Sequence, residues 1–340
     1  MAIIMGILAA ALASAPAAAA SSAAQVLPTV YEAGHFFAVP ETREGQRLRL
    51  MVDTGGGGGA ARLYWVTAQA AKRLRLKTHT CMLDAQTPIT VAELPDYKPG
   101  HGLPVPASSP CGKVLMVQDV RPEPVDDGQF SGSYLYAGGT WTFDYPARRL
   151  TLQGGAWRPD PAAHAIRLGF QHDRQGHATQ GYPRIVVQVD GQPLDMLLDT
   201  GATAHPTPEG VKASGAPTVH GFGVTSYITT SVFNRWHQAH PGWRVVTNGD
   251  DLFGSRHPMR LIEVPKLEIA GWSVGPVWFT ERPDPPFHEM MSSMMDRQIE
   301  GSVGANVFGH FVMTLDYPRE TAWFHCMTGC EPAATPPPAP

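Results

Sequence analysis

The feature that most constrains the fold of this chain is a pattern that occurs twice. An apolar segment runs directly into Asp-Thr-Gly at residues 48–55, and a second apolar segment does the same at residues 194–201. Turns with a central glycine precede them at residues 44–46 and 190–192, and the glycine stands at the same offset from the aspartate in both halves. Two strands joined through such a turn predict a β-hairpin in each half.

A second shared element follows in each half. Residues 141–146 read Trp-Thr-Phe-Asp-Tyr-Pro and residues 313–318 read Met-Thr-Leu-Asp-Tyr-Pro. Aligning the two Asp-Tyr-Pro elements also aligns Gly132 with Gly304. The repeated order predicts a duplicated lobe, once over residues 30–155 and again over residues 162–327. The Gly/Pro-rich residues 154–161 between them are predicted to form the linker.

Composition supports an all-β protein with few short helices. The 340 residues include 35 Gly and 32 Pro, which favour many turns over a helical bundle, and 43% are hydrophobic, which is enough for a core. Short helices are predicted at residues 67–75 and 230–240. The net charge of −4, without any block of Lys or Arg, argues against a nucleic-acid partner.

The two Asp-Thr-Gly loops predict a pair of catalytic carboxylates, Asp53 and Asp199. Two carboxyl groups held close together cannot both ionise, so they share one proton. The ionised member can then activate water while the protonated member polarises a carbonyl group. The glycines allow close approach of the loops, and the threonine hydroxyls are expected to bond across to the opposite loop. The predicted supporting residues are Thr54, Gly55, Gly132, Thr200, Gly201 and Gly304.

These motifs resemble those of retropepsin-like and pepsin-like aspartic proteases. The match rests on apolar-apolar-Asp-Thr-Gly-Ala-Thr at residues 197–203, on Gly-Ser-Val-Gly-Ala-Asn-Val-Phe at residues 301–308, and on Leu-Tyr-Trp-Val-Thr at residues 63–67. It covers roughly residues 35–325. The resemblance implies a bilobal acid-protease-like fold of two tandem retropepsin-like β-barrel lobes. It also implies an aspartic endopeptidase that cleaves peptide or protein substrates without a metal or another cofactor.

Two departures from the family pattern lie in the first half. Gly56, within the run of glycines at residues 55–59, stands where the family has Ala, Ser or Thr, and Ser131 stands where the second half has Val303. They leave open a rival interpretation, a catalytically inactive module that binds peptides or a protein. The family's flap, a hairpin that closes over substrate, is expected within residues 81–111. Because both loops lie on one chain, the resemblance implies a monomer.

The amino terminus indicates export. Residues 1–24 combine an apolar run with small residues suited to cleavage, which predicts a signal peptide and a periplasmic or secreted protein. The run is rich in Ala and broken by Pro16, so no stable membrane span is predicted. An Ala-rich leader is the alternative, because no Lys or Arg precedes Arg43. The Pro/Ala-rich residues 331–340 are predicted to be a disordered tail.

Four cysteines agree with export. They allow three connectivities, of which the local pairing Cys81–Cys111 and Cys326–Cys330 is the simplest. A metal site at Cys326 and Cys330 is the rival interpretation, but no second ligand pair stands nearby.

Two residue types invite weaker hypotheses. The fourteen histidines show no metal-binding spacing and are interpreted as surface residues, so no metal is predicted. A group of methionines is interpreted as a loop or short helix that covers the core, with the adaptable wall of a substrate cleft as the alternative. Its members are Met290, Met291, Met294 and Met295.

Overall fold

The structure, a computed structural model, is mostly β and bilobal, as the sequence predicted. It describes residues 23–57, 61–104, 109–120, 126–256 and 258–334. The predicted signal peptide therefore lies almost wholly outside the described residues, and so do the last six residues of the predicted tail.

The strands are, in chain order, β1 (Gln25–Val26), β2 (Thr29–Glu32), β3 (His35–Ala38), β4 (Leu50–Asp53), β5 (Trp65–Thr67), β6 (Thr78–Met82), β7 (Pro88–Glu93), β8 (Val114–Gln118), β9 (Gly128–Ser131), β10 (Thr140–Asp144), β11 (Arg149–Leu152), β12 (His164–Arg167), β13 (Arg184–Val189), β14 (Gln192–Leu198), β15 (Thr203–Ala204), β16 (Gly223–Val224), β17 (Ser226–Thr229), β18 (Val245–Asp250), β19 (Met259–Val264), β20 (Leu267–Ile269), β21 (Trp272–Val274), β22 (Val277–Arg282), β23 (Gly301–Val303), β24 (Phe311–Asp316), β25 (Thr321–Cys326) and β26 (Cys330–Pro332).

The α-helices are α1 (Ala68–Arg73), α2 (Gly132–Gly138), α3 (Pro208–Ser214), α4 (Thr230–Ala239) and α5 (Ala305–Phe308), and shorter helical turns cover Pro286–Met291, Ser292–Met294 and Tyr317–Arg319. The two helices predicted from the sequence are confirmed as α1 and α4. Thr67 caps α1, because its hydroxyl accepts a hydrogen bond from the backbone N–H of Ala70.

Each half of the chain builds one large sheet. In the first lobe eight strands follow the order β2-β3-β4-β9-β5-β8-β7-β6, and in the second lobe ten strands include the series β14-β23-β17-β22-β19-β18. β4 pairs with β9 in parallel, and β14 pairs with β23 in parallel. On the far side of β9 and β23, the neighbours β5 and β17 are antiparallel to them. The duplication is therefore confirmed in strand order. In each lobe the described strands form an open sheet with two edges rather than a closed barrel.

A third sheet joins the two halves. Its order is β1-β11-β10-β24-β25-β12, so its two central strands are the ones that carry the repeated Asp-Tyr-Pro elements. β10 and β24 are antiparallel, with Thr142 opposite Thr314 and their hydroxyl oxygens 2.8 Å apart. The pairing is symmetric about these two threonines. The main hydrophobic core is continuous through both halves and includes Trp141, Phe143, Met313 and Leu315.

The predicted equivalence of Gly132 and Gly304 is wrong by one residue. The register beside β4 and β14 puts Phe130 in the place of Val303, so that Ser131, and not Gly132, corresponds to Gly304. Between this position and the Asp-Tyr-Pro element the first half is one residue longer, where α2 has seven residues and α5 has four. An apolar residue thus backs both loops, and the inferred defect at Ser131 disappears.

The carboxyl-terminal segment also corrects the sequence interpretation. The predicted tail begins at Glu331, but Cys330–Pro332 forms β26, which pairs antiparallel with β21. The pairing is at the edge of the ten-stranded sheet, where a proline is tolerated in a strand.

The predicted disulfides are both present. Cys81 on β6 is bonded to Cys111, and Cys326 at the end of β25 is bonded to Cys330. Neither thiol of the second pair is then free to act as a thiolate ligand. Within the part of the chain that the structure describes, no helix is long and apolar enough to cross a membrane.

Candidate active site

The two Asp-Thr-Gly loops leave the ends of the buried strands β4 and β14. Asp53 is the last residue of β4, all four residues of which are buried, and Asp199 directly follows β14. The apolar runs seen in the sequence are therefore strands with neighbours on both sides. They bring the two aspartates to the boundary between the lobes.

The carboxyl groups of Asp53 and Asp199 lie within hydrogen-bonding reach of each other, and each residue is only 8% exposed. The glycine after each threonine permits this approach. A Cβ atom on Gly55 would lie 2.6 Å from Cγ of Asp199, and one on Gly201 would lie 2.6 Å from Oδ1 of Asp53. A side chain at either position would therefore push the opposite aspartate carboxyl out of its place.

The threonines clasp the loops together by symmetric hydrogen bonds. The hydroxyl of Thr54 donates to the carbonyl oxygen of Leu198 at 2.6 Å and accepts from the backbone N–H of Thr200 at 2.9 Å. The hydroxyl of Thr200 donates to the carbonyl oxygen of Val52 at 2.8 Å and accepts from the backbone N–H of Thr54 at 3.1 Å. The expected cross-loop bonds of both threonines are thus present, and all are buried.

The two carboxyls titrate as a pair. Burial raises the pKa of Asp199 well above its ordinary value, and the neighbouring Asp53 raises it further. Burial also raises the pKa of Asp53, but hydrogen bonds from Asp199 and from the backbone N–H groups of Gly55 and Gly56 lower it by favouring the ionised form. The pKa of both carboxyls is therefore raised, and the hydrogen bonds at Asp53 favour its ionised form.

Gln129 on β9 is a site residue that the sequence reasoning missed. Its Nε2 donates a hydrogen bond to Oδ2 of Asp53, and its Oε1 accepts one from Nε1 of Trp65 at 3.1 Å. The side chain fills the space left free at Gly56, because a Cβ atom there would collide with the Gln129 amide. Two features of the sequence could have pointed to it: a polar residue directly before Phe130, and a glycine, Gly56, directly after Asp-Thr-Gly.

Ser302 occupies the position in the second lobe that corresponds to Gln129. Its fully buried hydroxyl is close enough to Asp199 to lower the pKa of that carboxyl. The contact is looser than the one Gln129 makes, since the hydroxyl falls outside ordinary hydrogen-bond geometry and has no other partner among the described residues.

Gly132 and Gly304 both lie against the loops, although at non-equivalent positions. The N–H of Gly132 donates to the carbonyl oxygen of Gly56 at 3.3 Å, and a Cβ atom on Gly132 would collide with the carbonyl oxygen of Thr54. The N–H of Gly304 donates to Oγ of Ser226 at 3.0 Å. A Cβ atom on Gly304 would collide with the carbonyl oxygen of Thr225, so Gly132 allows a close approach to its loop and Gly304 a close approach to the backbone before β17.

Two further residues reach across the boundary between the lobes. Nε2 of His35 on β3 lies 3.1 Å from Oγ1 of Thr203, which follows the loop of the second lobe. Burial lowers the pKa of His35 to about 4. In the second lobe Tyr182 is equivalent to His35, counting from the pairing of β3 with β4 and of β13 with β14. Burial raises the pKa of the Tyr182 phenol, and the charge of the nearby Asp53 raises it further.

A small apolar cluster separate from the main core lies beside the site. It includes Tyr182 and has Tyr227 packed against it. Burial raises the pKa of both phenols, and the charges of Asp53 and Asp199 respectively raise it further.

Of the methionines singled out in the sequence, Met290, Met291 and Met294 lie on short helical turns. Met291, Met294 and Met295 pack in this cluster and not in the main core, whereas Met290 is exposed. The members of the cluster are Tyr182, Leu197, Phe287, Met295 and Ile299, with Tyr227, Met291 and Met294 packed against them.

The hairpin of β6 and β7, residues 78–93, overlaps the region 81–111 that is expected to contain the flap, and β18 and β19 form its counterpart in the second lobe. That either hairpin closes over a substrate stays a prediction. Among the residues that the structure describes, no group of three or more His, Cys, Asp or Glu side chains is arranged to hold a metal ion.

The chain has the pepsin-like fold. Its two lobes match in strand order, share one sheet and each contribute one Asp-Thr-Gly loop. No protein-family model matches the sequence, and no curated protein matches it.

Solved structures with a similar fold have very different sequences. They include an aspartic proteinase from Irpex lacteus, with 9% identity and a TM-score of 0.45, covering 90% of this chain and 98% of that chain. Basic 7S globulin from soybean has 10% identity and a TM-score of 0.45, covering 90% and 97%. Conglutin gamma, a basic 7S globulin from lupine seeds, has 11% identity and a TM-score of 0.44, covering 91% and 96%. These likenesses concern the fold alone.

Proposed function

We propose that this protein is an aspartic endopeptidase that cleaves peptide bonds between its two lobes. The observation that carries the proposal is the pair of nearly buried carboxyls, Asp53 and Asp199, in hydrogen-bonding reach at the centre of a symmetric threonine clasp. Holding two carboxyls this close is costly, and a binding module has no need of it.

The proposed reaction uses both protonation states of the pair. The Asp53 carboxylate takes a proton from a water molecule as the water oxygen bonds to the peptide carbonyl carbon. Asp199 gives its proton to the carbonyl oxygen, which produces a neutral tetrahedral diol. The C–N bond then breaks as Asp53 protonates the nitrogen and one diol hydroxyl returns its proton to Asp199. The pair is regenerated, and no covalent intermediate forms.

Two further properties belong to the same proposal. The two disulfides support folding in an oxidising compartment, which agrees with an exported enzyme. The active species is proposed to be a monomer, because both halves of the pair are on one chain and are held together at high effective concentration. Activity per milligram is then constant on dilution.

The test is digestion of a peptide library by the mature protein and by the variants Asp53→Asn and Asp199→Asn. Each substitution keeps the shape of the side chain but removes the acid–base group, so kcat falls by at least about 10³-fold. The matched control is Asp119→Asn at an exposed aspartate, which leaves kcat unchanged. Chelators also leave it unchanged.

Near-normal turnover in either variant at the pair would contradict the assignment. The rival proposal is the inactive peptide-binding module. It is favoured if the wild-type protein binds library peptides and cleaves none of them.

A further inference from the structure

We propose that Gln129 is a positioning residue that fixes Asp53 as the ionised member of the pair, and that the absence of a side chain at Gly56 gives it the space to do so. The inference deepens the proposed function and rests on it. The structural core of the inference is one chain of hydrogen bonds, from the Trp65 indole through the Gln129 amide to the Asp53 carboxylate.

The orientation of the Gln129 amide follows from its neighbours. The indole Nε1–H of Trp65 can only donate, so the amide atom it contacts at 3.1 Å must be the oxygen. The other amide atom, Nε2, is then turned toward Oδ2 of Asp53, to which it donates. The opposite oxygen of Asp53 accepts from the N–H of Gly55 at 2.8 Å. Both carboxylate oxygens are thus held by donors, which stabilises the charged form.

The residue at position 56 decides whether this arrangement fits. A Cβ atom on Gly56 would collide with Nε2 of Gln129 and would lie 2.5 Å from Oδ2 of Asp53. Gly56 is not in the left-handed region, so its backbone alone would accept a serine. A side chain at position 56 would therefore have to displace the Gln129 amide and turn the Asp53 carboxyl, so a glutamine bonded to Asp53 and a side chain at 56 are alternatives.

The second lobe gives an internal comparison. Ala202 follows Asp-Thr-Gly there, and Ser302 stands in the place of Gln129. The Ser302 hydroxyl touches Asp199 only loosely. The donors are thus stronger on Asp53 than on Asp199, which puts the negative charge on Asp53.

The first experiment replaces Gln129 by methionine, which keeps the length of the side chain and removes the donor. Loss of one hydrogen bond to a charged group raises the acid limb of the kcat/KM pH profile by about one pH unit. Ser302→Ala is the matched control in the other lobe. It raises the basic limb by only about 0.3 unit, because the contact it removes is weaker.

The second experiment uses the predicted exclusion. Gly56→Ser alone is expected to lower kcat/KM by at least about tenfold, because the new side chain displaces Gln129. In the double variant Gly56→Ser/Gln129→Ala only the Asp53 carboxyl has to turn to admit the serine Cβ, and the serine supplies a hydroxyl donor, so the acid limb returns to within about 0.3 unit of the wild type. A merely structural role for Gln129 predicts additive losses instead.

A readout that does not depend on turnover separates the two proposals. Aspartate labelled with carbon-13 at Cγ reports the titration of Asp53 by NMR, assigned through Asp53→Asn. In Gln129→Met that titration shifts to higher pH. If the wild type cleaves peptides and neither the acid limb nor the NMR titration moves in Gln129→Met, the inference is wrong and the proposed function stands. If no peptide is cleaved but the titration moves, Gln129 does position the carboxylate and the proposed function is wrong.

Discussion

The Asp-Thr-Gly loops of the two lobes share one backbone design and differ in what surrounds the carboxylate. The threonine clasp is the same on both sides to within a few tenths of an ångström. The donor beside the aspartate is an amide from Gln129 in the first lobe and a loosely placed hydroxyl from Ser302 in the second.

The difference shows which parts of a duplicated site can diverge. The clasp needs both copies at once, since each threonine hydroxyl bonds to the opposite loop. The donor beside each carboxylate acts within its own lobe, and it can change on one side alone. Two identical carboxyls could share one proton, but unequal donors beside them would fix which of the two is ionised.

Substitutions in the threonine clasp are expected to have the largest effect on stability, and the same effect in both lobes. Thr54→Val or Thr200→Val removes a hydroxyl and leaves one backbone N–H and one carbonyl oxygen buried without partners. Each substitution should lower the free energy of unfolding by about 2–6 kcal/mol, at about 1–3 kcal/mol for each orphaned group. Chemical denaturation of the two variants measures this.

The control for the clasp is Thr142→Val, which lies at the other contact between the halves but is only partly buried. It should cost less than about 1 kcal/mol. If the two variants at Thr54 and Thr200 lost clearly different free energies of unfolding, the two halves of the clasp would not contribute equally to stability.

Removing the disulfide of each lobe should lower the free energy of unfolding by different amounts, and this difference is smaller than the effect at the clasp. Cys81 and Cys111 close a loop with a sequence separation of 30, whereas Cys326 and Cys330 are separated by 4. Loop-closure entropy predicts that replacing both cysteines of a pair by serine costs about 3.5 kcal/mol in the first lobe and about 2 kcal/mol in the second. Thermal unfolding under non-reducing conditions compares them, and alkylation of the denatured, unreduced wild type should label no cysteine. A larger loss from the second pair would contradict the entropic account.

The equivalent residues His35 and Tyr182 should differ in how they make the free energy of unfolding depend on pH. The pKa of His35 is lowered to about 4 in the folded protein, so the unfolded chain binds the additional proton first, from about pH 6.5 downward. Stability contributed by neutral His35 is therefore present above that range and is lost as the pH falls toward 4, by about 3 kcal/mol in total. Arg49, a nearby positive charge, acts in the same direction.

In His35→Gln this part of the pH dependence should vanish when the unfolding free energy is followed from pH 7 to pH 4. Tyr182→Phe is the matched change in the other lobe and leaves the dependence as it is, because the pKa of Tyr182 lies above its ordinary value of 10. Equal slopes in the wild type and in His35→Gln would mean that His35 is not neutral in the folded protein at pH 7.

What the sequence predicted best were features written into short contiguous stretches. The loops at Asp53 and Asp199, the strands leading into them and the duplication all depend on local patterns that recur. Gln129 escaped prediction because it reaches Asp53 from a strand 76 residues further along the chain. The offset at Gly132 escaped because one additional residue between β9 and β10 is invisible when two halves are aligned on their Asp-Tyr-Pro elements. The strand at Cys330 was hidden by the proline-rich composition after it.

The sheet shared by the halves has a consequence for chains cut between them. β10 and β24 are central strands that pair through Thr142 and Thr314, in a register that reads the same from either side. A fragment ending near residue 157 would keep β10 and lose β24, so its hydrogen-bonding groups along one edge would be open. Because the register is symmetric, a second copy of the fragment would compete with the missing half for this edge. Separated halves would then have to exchange partners before the right pair could form, and mixing order and concentration would govern how much of the whole protein is recovered.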